Sequence, residues 1–270
     1  MNNFKAKSKD AIQKIFPKDP KLVRVLLKKP KKDAEGRSAK RLNAIAHGMS
    51  KCDKYLEIGV AQGLTLEQIQ VAEKIGVDPL PQFDENKLPK GVTFHRMESD
   101  LFFSSLQSKA IFDLVFLDGL HEWKQTYSDL INSLHHCHED SVILVDDVVP
   151  DDELSAFPEW NKALEMKDAA GIFDGRWQGD VFKVLIAISH FHPELEVFIM
   201  GKCDGVDNPQ AIVRTRPNID PKSIQKVEES MLKDIDDLSY SDVFNSQEYL
   251  NLFLTVTEQD GFARLTSNGS

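Results

Sequence analysis

Lys54-Tyr-Leu-Glu57-Ile-Gly59-Val-Ala61-Gln62-Gly63-Leu-Thr65 decides the fold. It reads as a buried strand, a glycine turn and the start of a helix, with a carboxylate just before the turn. A loop built for pyrophosphate offers backbone N–H groups at a positive helix N-terminus and avoids negative charge. Glu57 therefore suits a cationic or hydroxyl-bearing ligand, and Gly59-x-Ala61-x-Gly63 departs from the G-x-G-x-x-G dinucleotide fingerprint.

Outward from this stretch, strands and helices alternate. The expected order is a strand at 55–58, a helix from Thr65, strands at 74–77, 92–96 and 112–117, a helix from Glu122, and a strand at 141–145. That alternation specifies a parallel sheet with helices on both faces. Farther on, a helix is expected near 158–167, a glycine-rich turn at 173–180, a helix from Val181, and an antiparallel edge pair at 195–200 and 211–214.

Upstream, short helices are expected at 8–16 and 21–28, and Ala39, Leu42, Ile45, Ala46 and Met49 share one face of a third. The chain is expected to divide into a basic helical N-terminal cap (1–50), an α/β domain (51–216) and an acidic, partly helical C-terminal extension (217–270) ending in a tail expected to be disordered.

The 270 residues, 41% hydrophobic and 28% charged, can bury a full core. No apolar run approaches the roughly 20 residues that span a bilayer. The Met-Asn-Asn-Phe-Lys start lacks a signal peptide's apolar core, so a cytoplasmic location is expected. Cys52, Cys137 and Cys203 are odd in number and far apart, which favours reduced thiols.

Residues 1–54 hold 16 Lys/Arg against 5 Asp/Glu, whereas the remainder holds 17 against 38. Lys28, Lys29, Lys31 and Lys32 could meet an anionic partner or form a solvated loop. Without interleaved aromatics they are a poor nucleic-acid signal, and none is expected.

Asp78 closes the second strand, where an acid can accept from both ribose hydroxyls or cap a turn. Glu98-Ser99-Asp100 closes the third. Phe112-Asp-Leu-Val-Phe-Leu-Asp118-Gly-Leu-His121 and Ser141-Val-Ile-Leu-Val-Asp146-Asp147 are apolar strands ending in carboxylates, one crossover helix apart. Adjacent strands lie about 4.8 Å apart, so these acids converge and repel unless a cation joins them. An all-oxygen set favours Mg²⁺, or Mn²⁺ in its place. His121 could remove a proton from a substrate hydroxyl, or be a surface histidine at a helix start. Trp177-Gln-Gly-Asp180 could line an acceptor pocket, with Asp180 equally a helix cap. The tract His135-His-Cys-His138 fits a solvated helix end better than a metal site.

Taken in order, Tyr-Leu-Glu-Ile-Gly-Val, Gly-Val-Asp-Pro, Phe-Leu-Asp-Gly-Leu-His, Leu-Val-Asp-Asp-Val-Val-Pro and Trp-Gln-Gly-Asp-Val-Phe-Lys resemble the class I S-adenosylmethionine-dependent methyltransferases, type 24. These are relatives of macrocin-type sugar O-methyltransferases and, more distantly, of catechol O-methyltransferase. The resemblance covers about residues 38–215. It implies a doubly wound, mostly parallel, seven-stranded Rossmann-like sheet. It also implies a cofactor pocket around Glu57, Gly59, Gln62, Gly63, Asp78, Ser99 and Asp100 that reaches Asp118. Mg²⁺ or Mn²⁺ on Asp118, Asp146 and Asp147, and a base at His121, follow from it as well.

The expected function is Mg-dependent methyl transfer to a hydroxyl of a sugar or glycosylated small metabolite. The expected acceptor is a small molecule, sugar-containing or anionic, and a homo-oligomer is compatible with the sequence. Alternatives are a metal-independent methyltransferase acting on nitrogen or carboxylate, an NAD-dependent oxidoreductase, and a non-catalytic binding module.

Overall fold

The computed structural model describes residues 36–106, 111–172, 175–203 and 206–266. The two helices and the lysine run expected before residue 36 lie outside these residues, as does the end of the tail. Helix α1 (Arg37–Gly48) precedes β1 (Lys54–Ile58), α2 (Leu64–Gln68), β2 (Glu73–Val77), β3 (Val92–His95) and α3 (Ser99–Ser105). Next come β4 (Phe112–Leu117), α4 (Trp123–Leu134), β5 (Cys137–Val145), α5 (Trp160–Ala169) and α6 (Lys183–Phe191). The chain continues through β6 (Leu195–Cys203), β7 (Val206–Thr215), α7 (Glu229–Asp236), α8 (Tyr240–Phe244) and α9 (Gln247–Leu250), and ends in β8 (Thr255–Val256) and α10 (Glu258–Thr266).

The strands form one sheet in the order β3-β2-β1-β4-β5-β7-β6-β8. The first five are parallel, and β7 runs antiparallel between β5 and β6. Seven strands were expected; the eighth is the short β8 of the C-terminal extension, parallel to β6. The β6–β7 pair is therefore antiparallel as expected, but it lies inside the sheet, with β8 at the edge.

Strand residues alternate between the faces. Leu56, Ile58, Val115, Leu117, Ile143 and Val145 pack with α3, α4 and α6 on one side. Tyr55, Leu114, Phe116, Val142 and Leu144 pack with α1, α2 and, half-buried, Phe262 of α10 on the other. The chain order reverses between β1 and β4. Open α/β sheets bind ligands at such a switch point, outside the carboxyl ends of the strands.

The C-terminal extension is built into the domain. Asp236 accepts from Trp123 Nε1 (3.0 Å) and Lys124 Nζ (2.6 Å), and Phe244 meets Phe182 edge-on with ring centroids 5.5 Å apart. Among the described residues, no helix is long and apolar enough to cross a membrane.

Candidate active site

The glycine turn is wedged between its neighbours. Gly59 has φ +85°, and a Cβ there would fall 1.9 Å from the Asp118 carbonyl oxygen. Only glycine fits both the left-handed backbone and the contact. Its N–H donates to Val77 O (2.9 Å), while Asp118 N–H donates to Ile58 O (2.9 Å), so the turn holds β2 and β4 together. Gly63, at φ +79°, starts α2 beneath the Phe83 ring.

Asp78 clasps this turn. Its Oδ2 accepts from Val60 N–H (2.9 Å) and Ala61 N–H (2.8 Å), and Oδ1 accepts from Leu80 N–H (2.7 Å). Glu57 lies one layer down, 1% exposed, where Tyr55 OH donates to it at 2.7 Å. Burial pushes the Glu57 carboxyl up to about 8, against the pull of that hydrogen bond. Gln62 is half-buried in the turn. Ser99 and Asp100 open α3, where Gln125 Nε2 donates to Ser99 Oγ (3.2 Å), Asp100 Oδ1 (3.3 Å) and Asp129 Oδ1 (3.1 Å).

Beside the turn, the loops after β4 and β5 bring Asp118, His121 and Asp147 together, with one ligand atom of each within 4.8 Å of the others. His121 Nε2 lies 3.1 Å from Asp147 Oδ2 and 3.7 Å from Asp118 Oδ1. Burial pulls the His121 imidazolium down, but the Asp147 and Asp118 charges outweigh it and push it up to about 9. Burial pushes the Asp147 carboxyl up, the His121 charge pulls it back, and the Asp146 and Asp118 charges push it up again.

Asp146 is turned differently from its neighbour. Its Oδ1 accepts the Asp147 N–H at 2.9 Å, Asp147 itself has φ +60°, and the strand register sets Gln210 opposite Asp146. The acids expected to act as one set are thus divided: Asp118 and Asp147 converge with His121, and Asp146 braces the turn.

His121 is held from behind by a segment far along the chain. Its Nδ1 is 3.1 Å from the Trp177 carbonyl, and its ring stacks on Trp177 with centroids 4.6 Å apart and planes 12° apart. A Cβ on Gly179 (φ +63°) would fall 1.8 Å from the His121 carbonyl oxygen. Gln178 and Gly179 N–H groups both donate to Ser155 O, at 2.9 and 3.0 Å, pinning the segment to the loop after β5.

Asp180 is 6% exposed and accepts from Trp123 N–H at 2.9 Å, while Lys183 pairs with it at 3.2 Å. It caps α4 from another part of the chain, which satisfies an otherwise orphaned helix N–H. The histidine tract is likewise partnered rather than solvated. His138 pairs with Asp113 (2.9 Å), His135 Nε2 bonds Ile224 O (2.7 Å), and His136 stacks on Phe103.

Asp118, His121 and Asp147, marked in the sequence by the strand ends, meet in space, but Trp177's hold on His121 and Gln210's place opposite Asp146 were not marked there. The register would have revealed Gln210. Val145 pairs with Ala211, so the next residues out, Asp146 and Gln210, face each other across the strands.

Residues 56–148 match the model of a family described as Methyltransferase domain. No curated protein is significantly similar to the chain. Among solved structures, a protein of Klebsiella pneumoniae assigned as an O-methyltransferase shares 18% identity and a TM-score of 0.50, over 80% of this chain and 98% of its own. An O-methyltransferase from Bacillus cereus in complex with SAH shares 13% identity and a TM-score of 0.48, over 77% of this chain and 96% of its own. The family match over residues 56–148 and the shared fold point the same way, to a methyltransferase-type domain.

Proposed function

We propose that the chain moves the methyl group of S-adenosylmethionine onto a hydroxyl oxygen of a small acceptor, at a site where Asp118, His121 and Asp147 hold a divalent cation. The observation that carries this is the contact between Gly59 and the Asp118 carbonyl. It puts the cofactor-type turn and the Asp/His/Asp cluster side by side on one rim.

The donor set fits a cation. Metal-binding histidines ordinarily give their other ring N–H to a carbonyl or carboxylate, and His121 Nδ1 meets the Trp177 carbonyl at 3.1 Å while Nε2 faces the two acids. One imidazole nitrogen among carboxylates tilts the preference from Mg²⁺ toward Mn²⁺. A bound cation would supply charge that lowers the pKa of an acceptor hydroxyl, and S-adenosylmethionine would supply the methyl group.

The chain's own residues do the rest. Gly59 and Gly63 let the backbone approach the cofactor, and Asp78 offers carboxylate oxygens to ribose in exchange for the turn's N–H groups. Glu57 faces the sulfonium side with negative charge once ionised. With Nε2 given to the cation and Nδ1–H to the Trp177 carbonyl, His121 serves as a ligand, and the acidified hydroxyl releases its proton to solvent. Positioning and electrostatics account for most of the acceleration. The resemblance to macrocin-type enzymes points to a sugar hydroxyl.

A second reading, metal-free transfer, draws on the 3.1 Å His121–Asp147 pair, which satisfies itself without an ion. Methyl-labelled S-adenosylmethionine with a panel of hydroxyl-bearing acceptors, sugars included, tests both. Transfer to oxygen that EDTA abolishes and Mn²⁺ restores is expected; transfer to nitrogen or carboxylate that is indifferent to EDTA contradicts the proposal.

A further inference from the structure

Behind the Asp146–Asp147 turn lies a buried polar chain that runs back to α1 and α10. Arg41, on α1, is 1% exposed and Gln210, on β7, is fully buried. Arg41 Nη1 donates to Gln210 Oε1 at 2.6 Å, Nη2 to Gly201 O at 2.8 Å, and Nε to Glu258 Oε1 at 3.1 Å. Gln210 Nε2 donates to Ser38 Oγ at 2.9 Å, and the strand register sets Gln210 opposite Asp146. Asp146 in turn accepts the Asp147 N–H, and Asp147 Oδ2 meets His121 Nε2.

An arginine buried in this way is costly to retain unless its hydrogen bonds are met, and here they go to a side-chain amide, a carbonyl and the Glu258 carboxylate. An amide with both ends engaged cannot rotate, so Gln210 keeps one orientation opposite Asp146. From these contacts we infer that Arg41 and Gln210 are positioning residues. Anchored by Glu258 of the C-terminal extension, they hold Asp146 so that Asp147 stays in its left-handed conformation, facing His121. The inference rests on the proposed role of the Asp118/His121/Asp147 cluster and adds to it the helices at the two ends of the domain. A left-handed non-glycine residue is strained and persists only where its surroundings over-determine it. The brace supplies that constraint.

Imidazole ¹H–¹⁵N spectra of the full chain test the inference without needing an acceptor or a metal. The His121 signal is assigned by its loss in His121→Asn. In Gln210→Met and Arg41→Met it is expected to move at least halfway to its position in Asp147→Asn. Glu258→Ala should shift it less in the same direction, and Arg96→Met, remote from the brace, should leave it in place. Should Arg41→Met fail to fold, Gln210→Met decides. A His121 signal unmoved in Gln210→Met overturns the inference and leaves the brace a matter of stability alone. Calorimetry with S-adenosylhomocysteine separates the two claims: affinity within about two-fold of wild type is expected in every folded brace variant. Absence of binding to the wild-type chain would contradict the cofactor reading, with the brace still judged by the spectra.

Discussion

The two halves of the rim are built from different materials. At β1 and β2 the site is backbone: Gly59 and Gly63 in left-handed conformations, with two turn N–H groups gathered on Asp78. At β4 and β5 it is side chain: Asp118, His121 and Asp147, with His121 held by Trp177 and Gly179 from elsewhere in the chain. A backbone-built site tolerates change around it but not at its glycines. A side-chain site fails gradually, as each support is removed.

The harshest way to break that contrast is Gly59→Ala, which touches both halves. Its Cβ would meet the Asp118 carbonyl oxygen at 1.9 Å, in a backbone conformation that alanine resists. Strain and overpacking together predict a loss of about 4 kcal/mol or more, read from urea midpoints. A smaller loss would mean that the strands separate easily.

Next comes Asp147→Asn. With the charge facing His121 removed, methyl transfer is expected to fall ~10²–10³-fold while S-adenosylhomocysteine affinity stays nearly constant, since the group acts on the acceptor side alone. Steady-state rates alongside calorimetry would show the split.

Glu57 makes the backbone half sensitive to pH. Its carboxyl sits at about 8 in the fold against an ordinary value of 4.5, so the folded state holds a proton that the unfolded chain releases. Stability is therefore full below about pH 4.5 and declines as pH rises to about 8, by roughly 3–5 kcal/mol. Glu57→Gln should flatten that decline in thermal melts across this range, because the amide still accepts from Tyr55 OH. A decline of unchanged slope would place its origin elsewhere.

The mildest change is Asp78→Asn. One carboxylate oxygen that holds two turn N–H groups becomes an amide, and a cofactor affinity loss of about ten-fold is expected by calorimetry.

The backbone half and the parallel core were legible because glycine spacing and strand periodicity are local signals. Asp118 and Asp147 were legible for the same reason: they end apolar strands. The partners of the side-chain half were not. Asp180 looked like a cap for its own helix and instead caps α4, because the Gly179 turn carries it against Trp123. Trp177 grips His121 through a carbonyl, an atom every residue has and no sequence marks. The eighth strand depended on the extension folding back along β6, a long-range pairing with only two residues to announce it.

The central claim is that cofactor and acceptor chemistry occupy neighbouring but separable halves of one rim. Calorimetry with S-adenosylhomocysteine on wild type, Asp78→Asn and Asp147→Asn tests it most directly. Binding to wild type, weakened in Asp78→Asn and preserved in Asp147→Asn, is the predicted pattern. No binding to wild type, or equal loss in both variants, would contradict it.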